Sequence, residues 1–252
     1  MLVALLLAAC GGDSPTARRA PTTTATSTTT STTAAVAPTE APTTAARSRP
    51  ATTTAPTVAS DAALRGLTGS QAIVVRAAAY GRTTATLTAY ERAGDGWRVA
   101  HGPWSAYVGR AGVAPPGAKR EGDGRTPSGT YPFDFMFGVD PDPGVKFPFR
   151  RVTGHNIVWS DDPESPRYNM WVDTNQADAG PSPESMYVRP QYDLGAVIAY
   201  NPERTPGMGS GIFVHVSAGR PTAGCVSLPR HRLTTLLTWL DPAAAPRILI
   251  GV

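Results

Sequence analysis

The sequence predicts a mainly β domain with one helix, placed behind a long segment that builds no structure of its own. Three observations predict it. From about residue 70 onward, short apolar or alternating runs are broken repeatedly by Gly and Pro. One stretch only, near the end, has apolar residues at helical spacing. Between residues 11 and 61 neither period is present. The chain has 252 residues, 41% hydrophobic and 17% charged, with 25 Gly and 25 Pro. That length suits one domain plus a tail, and the hydrophobic content is enough for a real core. No run of about 20 apolar residues exists, so no membrane-spanning helix is expected. The formal net charge of +4 is scattered along the chain. It gives no nucleic-acid footprint, although it suits an anionic surface or matrix.

Gln71 to Ala78 reads as the first strand. Thr84 to Tyr90 and Trp97 to His101 flank Gly94-Asp95-Gly96, a hairpin signal. Further strand-like pieces are Ile157 to Trp159, Met170 to Val172, Ala196 to Tyr200, Gly211 to Ser217 and Arg247 to Ile250. The helix is predicted from Leu233, Leu236, Leu237 and Leu240. Ser227 is its expected N-cap, with Pro229 tolerated in the first turn and Asp241-Pro242 as the stop.

Ahead of the domain, residues 11–61 are rich in Thr, Ala, Pro and Ser. Such a composition buries too little apolar surface to offset its ordering entropy. It reads as a flexible stalk, spanning on the order of 40 Å on average. The catalytic or binding domain is then expected over 62–252. The first ten residues, MLVALLLAAC, form a short apolar stretch ending in small residues, as in a secretory signal. Leu7-Ala8-Ala9-Cys10 resembles the lipobox of bacterial lipoproteins. That likeness implies cleavage before Cys10, lipidation of its sulfur, and a lipid-anchored protein on the outer face of the cytoplasmic membrane.

If Cys10 is lipidated, Cys225 is the one thiol left in the mature chain. A lone thiol in an oxidising compartment is either a reactive group or a small buried hydrophobe. Its surroundings bear on the choice. Strand alternation over 211–217 puts Ile212, Val214 and Val216 on one face, and Phe213, His215 and Ser217 on the other. Val226 and Leu228 continue the apolar face, and Cys225 and Ser227 share the face of His215. If the two pieces fold as a hairpin around Gly219 to Pro221, His215 and Cys225 stand opposite each other, with Cβ atoms about 5 Å apart. Two readings fit that pattern: a thiol activated by an imidazole, or a half-buried His beside a buried Cys. In the first, Gly224 leaves the nucleophile uncrowded, and its N–H with that of Cys225 forms part of an oxyanion hole.

Here the sequence resembles a known family, the YkuD-type L,D-transpeptidase catalytic domain. The likeness rests on Ile212-Phe-Val-His215 followed by Thr222-Ala223-Gly224-Cys225, and on Lys119 to Tyr131 (KREGDGRTPSGTY). It rests also on Trp159-Ser-Asp-Asp162 with Tyr168-Asn169-Met-Trp171, and on the helix ending at Leu240-Asp241-Pro242. It implies a β-sandwich catalytic domain acting on peptidoglycan stem peptides outside the cytoplasmic membrane, with no cofactor and no metal, as a monomer. Cys225 is the implied nucleophile and His215 the base. Gly224, Thr222, Arg220, Ser227, Tyr168, Asn169 and Trp171 are the implied oxyanion and substrate residues. The implied reaction passes through a Cys225 thioester of a stem tetrapeptide and ends in a 3→3 crosslink. With water as acceptor the same enzyme is an L,D-carboxypeptidase. Two positions depart from the family pattern: Ala223 replaces a His, and Ser227 replaces an Arg that is thought to arrange the site, a role for which Arg220 is a substitute.

Other features carry less. Gly122-Asp-Gly124 precedes no helix pattern, so a turn lining the cleft is expected rather than a phosphate loop. Asp161 and Asp162 are adjacent on a strand and point apart, which argues against a glycosidase pair. His101, His155, His215 and His231 lack zinc-ligand spacing. His231 is expected in solvent, His155 in a structural role and Trp159 in the core. Cell-wall peptidases of the NlpC/P60 kind place Cys before His, and sortases carry a different signature around their Cys. A wall-binding module that keeps the fold without catalysis is the remaining rival, and thiol reactivity distinguishes it.

Overall fold

The computed structural model describes residues 62–252. The Cys10 lipidation and the 11–61 linker lie outside them. Fourteen strands and one α-helix are present. The strands are β1 (Gln71–Ala77), β2 (Thr84–Ala93), β3 (Gly96–Tyr107), β4 (Val113–Ala114), β5 (Thr126–Pro127), β6 (Gly129–Gly138) and β7 (Phe149–Arg151). They continue with β8 (Ile157–Ser160), β9 (Met170–Asp173), β10 (Glu184–Ser185), β11 (Gly195–Ile198), β12 (Phe213–Val216), β13 (Val226–Leu228) and β14 (Arg247–Gly251). The helix α1 (Arg230–Trp239) lies between β13 and β14.

The mainly β fold is as expected. The main sheet runs β11-β12-β13-β3-β2-β1-β14-β6-β7, and β11 also pairs with β6. That last pairing joins the two sides of the sheet, so the layers of the sandwich are continuous. A three-stranded sheet (β10-β8-β9) and a two-stranded one (β4-β5) complete the strands. β1 reads as an unbroken apolar run because both of its faces are covered. Ile73 and Val75 enter the principal core, while Ala72 and Val74 pack with Leu64, Trp97 and Leu249 on the other side. The hairpin signal at Gly94 to Gly96 is realised by β2 and β3 in register Ala93↔Gly96.

β6 escaped the sequence reading, since Gly129 and Pro132 sit inside it. The proline stands where the strand changes partner: Pro132 opposes Arg247 of β14, and Phe133 opposes Ile198 of β11. A residue without an N–H is tolerated at such a switch. Its carbonyl still accepts from the Ala199 N–H at 2.9 Å.

The two apolar faces predicted around the cysteine are present. Ile212, Val214, Val216, Val226 and Leu228 enter the principal core, together with Leu233, Leu236, Leu237 and Leu240 of the α1 region. Phe213 and Cys225 enter a second, aromatic core with Phe135, Phe137, Trp159 and Tyr192. Two local expectations are corrected. Ser227 does not cap the helix. It is a buried residue of β13, paired with His215 and Tyr107, and Pro229 takes the N-cap position with no side-chain cap bond. Nor do the pieces flanking Gly219 to Pro221 form a hairpin: β12 and β13 are parallel, with Val214↔Val226 and His215↔Ser227. The connection is drawn away from a tight turn because Thr222 is held elsewhere. Its N–H donates to Val108 at 3.0 Å, and its carbonyl accepts from Arg110 at 2.7 Å.

With so weak a helix start, α1 depends on its leucines. Leu236→Ala is expected to destabilise the domain by about 2–5 kcal/mol, read as a shift in urea-unfolding midpoint with little change in slope.

Candidate active site

The parallel register places Cys225 one residue before β13, alongside Phe213, and places His215 alongside Ser227. The thiol and imidazole therefore share a face but are two residues apart along the strands, about 6.5 Å. Both are buried, and both line one cavity of about 360 Å³. Arg220, Thr222 and Gly224 line it too.

The Cys225 backbone is fixed from two sides. The Cys225 carbonyl accepts from Thr222 Oγ1 at 2.6 Å and from Thr126 Oγ1 at 3.3 Å. Thr222 Oγ1 also accepts from the Gly224 N–H at 3.1 Å, so one donor of the expected oxyanion hole is engaged within the loop. Gly224 is required by space: a Cβ there would lie 3.1 Å from the Arg125 carbonyl and 3.4 Å from Ile212 Cδ1. The thiol itself donates to the Gly211 carbonyl at 3.3 Å and accepts from the Phe213 N–H at 3.4 Å. Gly211 has φ +59°, the left-handed conformation that favours glycine.

Asn169 explains why Gly211 stays there. Its Oδ1 accepts from the Gly211 N–H and from Trp159 Nε1, both at 3.1 Å, while its Nδ2 donates to the carbonyls of Tyr200 and Asn201 at 3.0 Å. Tyr168 works next door: its hydroxyl donates to Glu121 and accepts from the Gly209 N–H at 3.0 Å. Tyr168 and Asn169 thus stand behind the cavity wall and hold the backbone on which the thiol rests. Trp171 is half-buried against Phe135 and Phe137, with centroids 5.7 and 6.0 Å away. Ser227 lies in the sheet and does not line the cavity.

His215 Nδ1 is 2.9 Å from the Val216 carbonyl. A carbonyl can only accept, so Nδ1 carries the proton and Nε2 keeps its lone pair. Tyr192 packs edge-on against the ring at 5.4 Å. Burial lowers the imidazole to about 4, only partly opposed by the Val216 bond. Burial also pushes the Cys225 thiol well up, Glu184 adds to this, and the Phe213 N–H and Lys119 offset little of it. Of the two readings that the spacing leaves open, a charged thiolate–imidazolium pair is therefore disfavoured in the unliganded cavity, and the thiol and imidazole are held toward their neutral forms. Desolvation of both charges outweighs the local stabilisation.

Several cavity residues carried no signal as site residues in the sequence. Glu184 lines the cavity with Asp161, Glu121, Lys119 and Tyr192. Lys119 is buried and held by Asp123 at 2.7 Å and the Arg120 carbonyl at 2.6 Å. The Gly122 turn lines the cavity as anticipated. Asp161 reaches the wall, whereas Asp162 binds the Glu164 N–H at 3.0 Å. Trp159 is buried, His231 is exposed, and His155 is exposed beside Tyr187 with centroids 4.7 Å apart.

The L,D-transpeptidase catalytic domain family, YkuD, matches residues 70–249. The chain belongs to this family. No curated protein and no solved structure matches it. Membership accounts for the buried thiol and imidazole on one wall. It makes this a transferase-type domain that works on peptidoglycan, outside the cytoplasm.

Two outcomes follow. His215 has a folded value of about 4 against an ordinary 6.5. Its contribution to stability is therefore complete above pH 6.5 and is lost as pH falls through 4. The loss amounts to about 3 kcal/mol, measured as the pH-4 versus pH-7 difference in urea stability, wild type against His215→Asn. Asn169→Ala releases Gly211, and turnover is expected to fall at least about tenfold with unchanged circular dichroism. Retained turnover would show that the Gly211 anchor is dispensable.

Proposed function

We propose that the chain is a cysteine-dependent L,D-transpeptidase that forms 3→3 crosslinks between peptidoglycan stem peptides. The carrying observation is the shared cavity of Cys225 and His215, with the imidazole tautomer set by the Val216 carbonyl. With Nδ1 protonated, Nε2 is the basic nitrogen that a thiol proton needs.

The Cys225 sulfur attacks the carbonyl of the third stem residue as its proton passes to His215 Nε2, so no free thiolate accumulates. The C–S bond forms, and the oxyanion is held by the Cys225 backbone N–H, the Gly224 N–H being engaged by Thr222. His215 returns the proton to the nitrogen of the departing D-Ala as the C–N bond breaks. The thioester remains. A side-chain amine of a second stem then attacks, the C–N bond forms, the C–S bond breaks, and the thiol is restored. Thr222 holds the turn, Asn169 holds Gly211, and exposed Arg220 on the lip offers a guanidinium to a substrate carboxylate where Ser227 cannot. Trp171 and Tyr168 support the wall. Lipidation at Cys10 and the 11–61 stalk would tether the monomeric domain to the membrane and let it sweep the surrounding wall.

The test incubates the full chain, and its Cys225→Ala variant, with a disaccharide-tetrapeptide and weighs the products. A dimer lacking one D-Ala is expected, falling on the order of 10⁴-fold in the variant. Tripeptide alone would make the enzyme an L,D-carboxypeptidase. A folded chain that yields no product and no thioester would leave a wall-binding module.

A further inference from the structure

The cavity holds more carboxyl groups than attack on an uncharged carbonyl calls for, alongside the basic Arg110, Lys119 and Arg220. Glu184 of β10, Asp161 just after β8, and Glu121 of the Lys119 to Gly124 segment all line it. Burial, against the pull of the Tyr192 hydroxyl bond and with help from Asp161 and Glu121, raises Glu184 to about 7. Burial, with Glu121 and Asp162, raises Asp161 as well. The buried ammonium on the same wall, Lys119, is committed to Asp123 and the Arg120 carbonyl. No three acidic, His or Cys groups among the described residues converge closely enough to hold a metal ion.

A second observation is independent of these charges. Ser210 is only 8% exposed and lines the cavity, and its hydroxyl meets no protein group except the Tyr168 hydroxyl beside it. The neighbouring Tyr168 gives its proton to Glu121. Gln191 Oε1, also on the cavity wall, is a buried oxygen without a partner. Buried polar atoms are normally satisfied, and leaving one unmade costs about 1–3 kcal/mol. Three carboxyl groups, the Ser210 hydroxyl and the unused Gln191 oxygen make a wall of acceptors. Its natural occupant is a cation rich in N–H donors.

The wall is also close to the nucleophile. A methyl group on Gly211 would lie 3.3 Å from Glu184 Oε2, and the Gly211 carbonyl is 3.3 Å from the Cys225 sulfur. One backbone residue separates carboxylate from thiol.

We propose that Glu184, Asp161, Glu121, Ser210 and Gln191 form the subsite for the primary ammonium of the acceptor stem, and that Glu184 takes its proton. The proposal rests on the transpeptidase reading. An ammonium has no lone pair and cannot attack a thioester. Transfer of one proton to the Glu184 carboxylate yields a neutral amine and a neutral carboxyl group. The amine nitrogen then bonds to the thioester carbon, the C–S bond breaks, and a second nitrogen proton passes through His215 to the sulfur. The products are an amide and the Cys225 thiol, and Glu184 releases its proton to solvent. The groups facing Glu184 are Tyr192, Asp161, Glu121 and Cys225, with His215, Lys119, Arg110 and Arg220 elsewhere on the cavity wall. With Glu184 titrating near 7, amine transfer is expected to fall as pH drops below that value.

The experiment measures the ratio of crosslinked to hydrolysed product released from the Cys225 thioester of the full chain. In Glu184→Gln the ratio should fall at least about tenfold, the acceptor KM should rise, and the pH dependence near 7 should vanish. The ratio counts only chain that has acylated, so misfolded protein does not enter it. An unchanged ratio and pH profile would overturn the proposal. A second measurement needs no turnover: binding to the Cys225→Ala chain of a stem tripeptide with a free side-chain amine, against the same peptide N-acetylated. The free amine should bind at least about tenfold tighter, and the preference should disappear when Glu184→Gln is added. Equal binding of the two peptides overturns the subsite. A chain that forms no thioester but still prefers the free amine would refute the transpeptidase reading and leave the subsite standing.

Discussion

The parallel pairing of β12 with β13 sets the rest of the site. It fixes Cys225 alongside Phe213 and His215 alongside Ser227, and side chains two residues apart share one face. The pairing survives because the intervening loop is tied by Thr222 to the chain after β3. The same Thr222 hydroxyl then holds the Cys225 carbonyl. One threonine thereby joins the sheet's topology to the position of the sulfur. The opposite faces of the two strands feed Val214, Val216, Val226 and Leu228 to the principal core, which makes any slip in register costly.

Burial governs the chemistry. Removal from water disfavours the charged forms of the thiol and the imidazole, which is why the proposed mechanism moves protons in concert with bond making. The short sheet β10-β8-β9 contributes to the same environment. It delivers Glu184 directly and Asp161 by way of β8, while Trp159 of β8 packs on Phe213 with centroids 5.0 Å apart. An aromatic core thus stands behind the polar wall and keeps it rigid.

The positioning residues are as informative as the wall itself. Asn169 joins Gly211, Trp159, Tyr200 and Asn201 through both ends of its amide. Tyr168 joins Glu121 to Gly209. Together they tie the approach to β12 to the carboxylate side of the cavity.

Much of this was legible in the residues alone. Alternation over Ile212 to Val216 assigned the two faces correctly, the leucines at 233, 236, 237 and 240 marked the helix, and Gly94 to Gly96 marked the first hairpin. These are local signals, carried by periodicity and by glycine's backbone freedom. The motifs around His215 and Cys225 pointed to the family for the same reason. What spacing does not carry is the direction of a neighbouring strand, since a loop that turns back and a loop that crosses over read alike. The parallel β12–β13 register, β6 with its internal proline, and Ser227 inside the sheet were all settled by long-range hydrogen bonds. The convergence of Glu121, Asp161 and Glu184 was settled in the same way. So was the neutral state of the thiol and imidazole, because desolvation depends on what the whole fold packs around them.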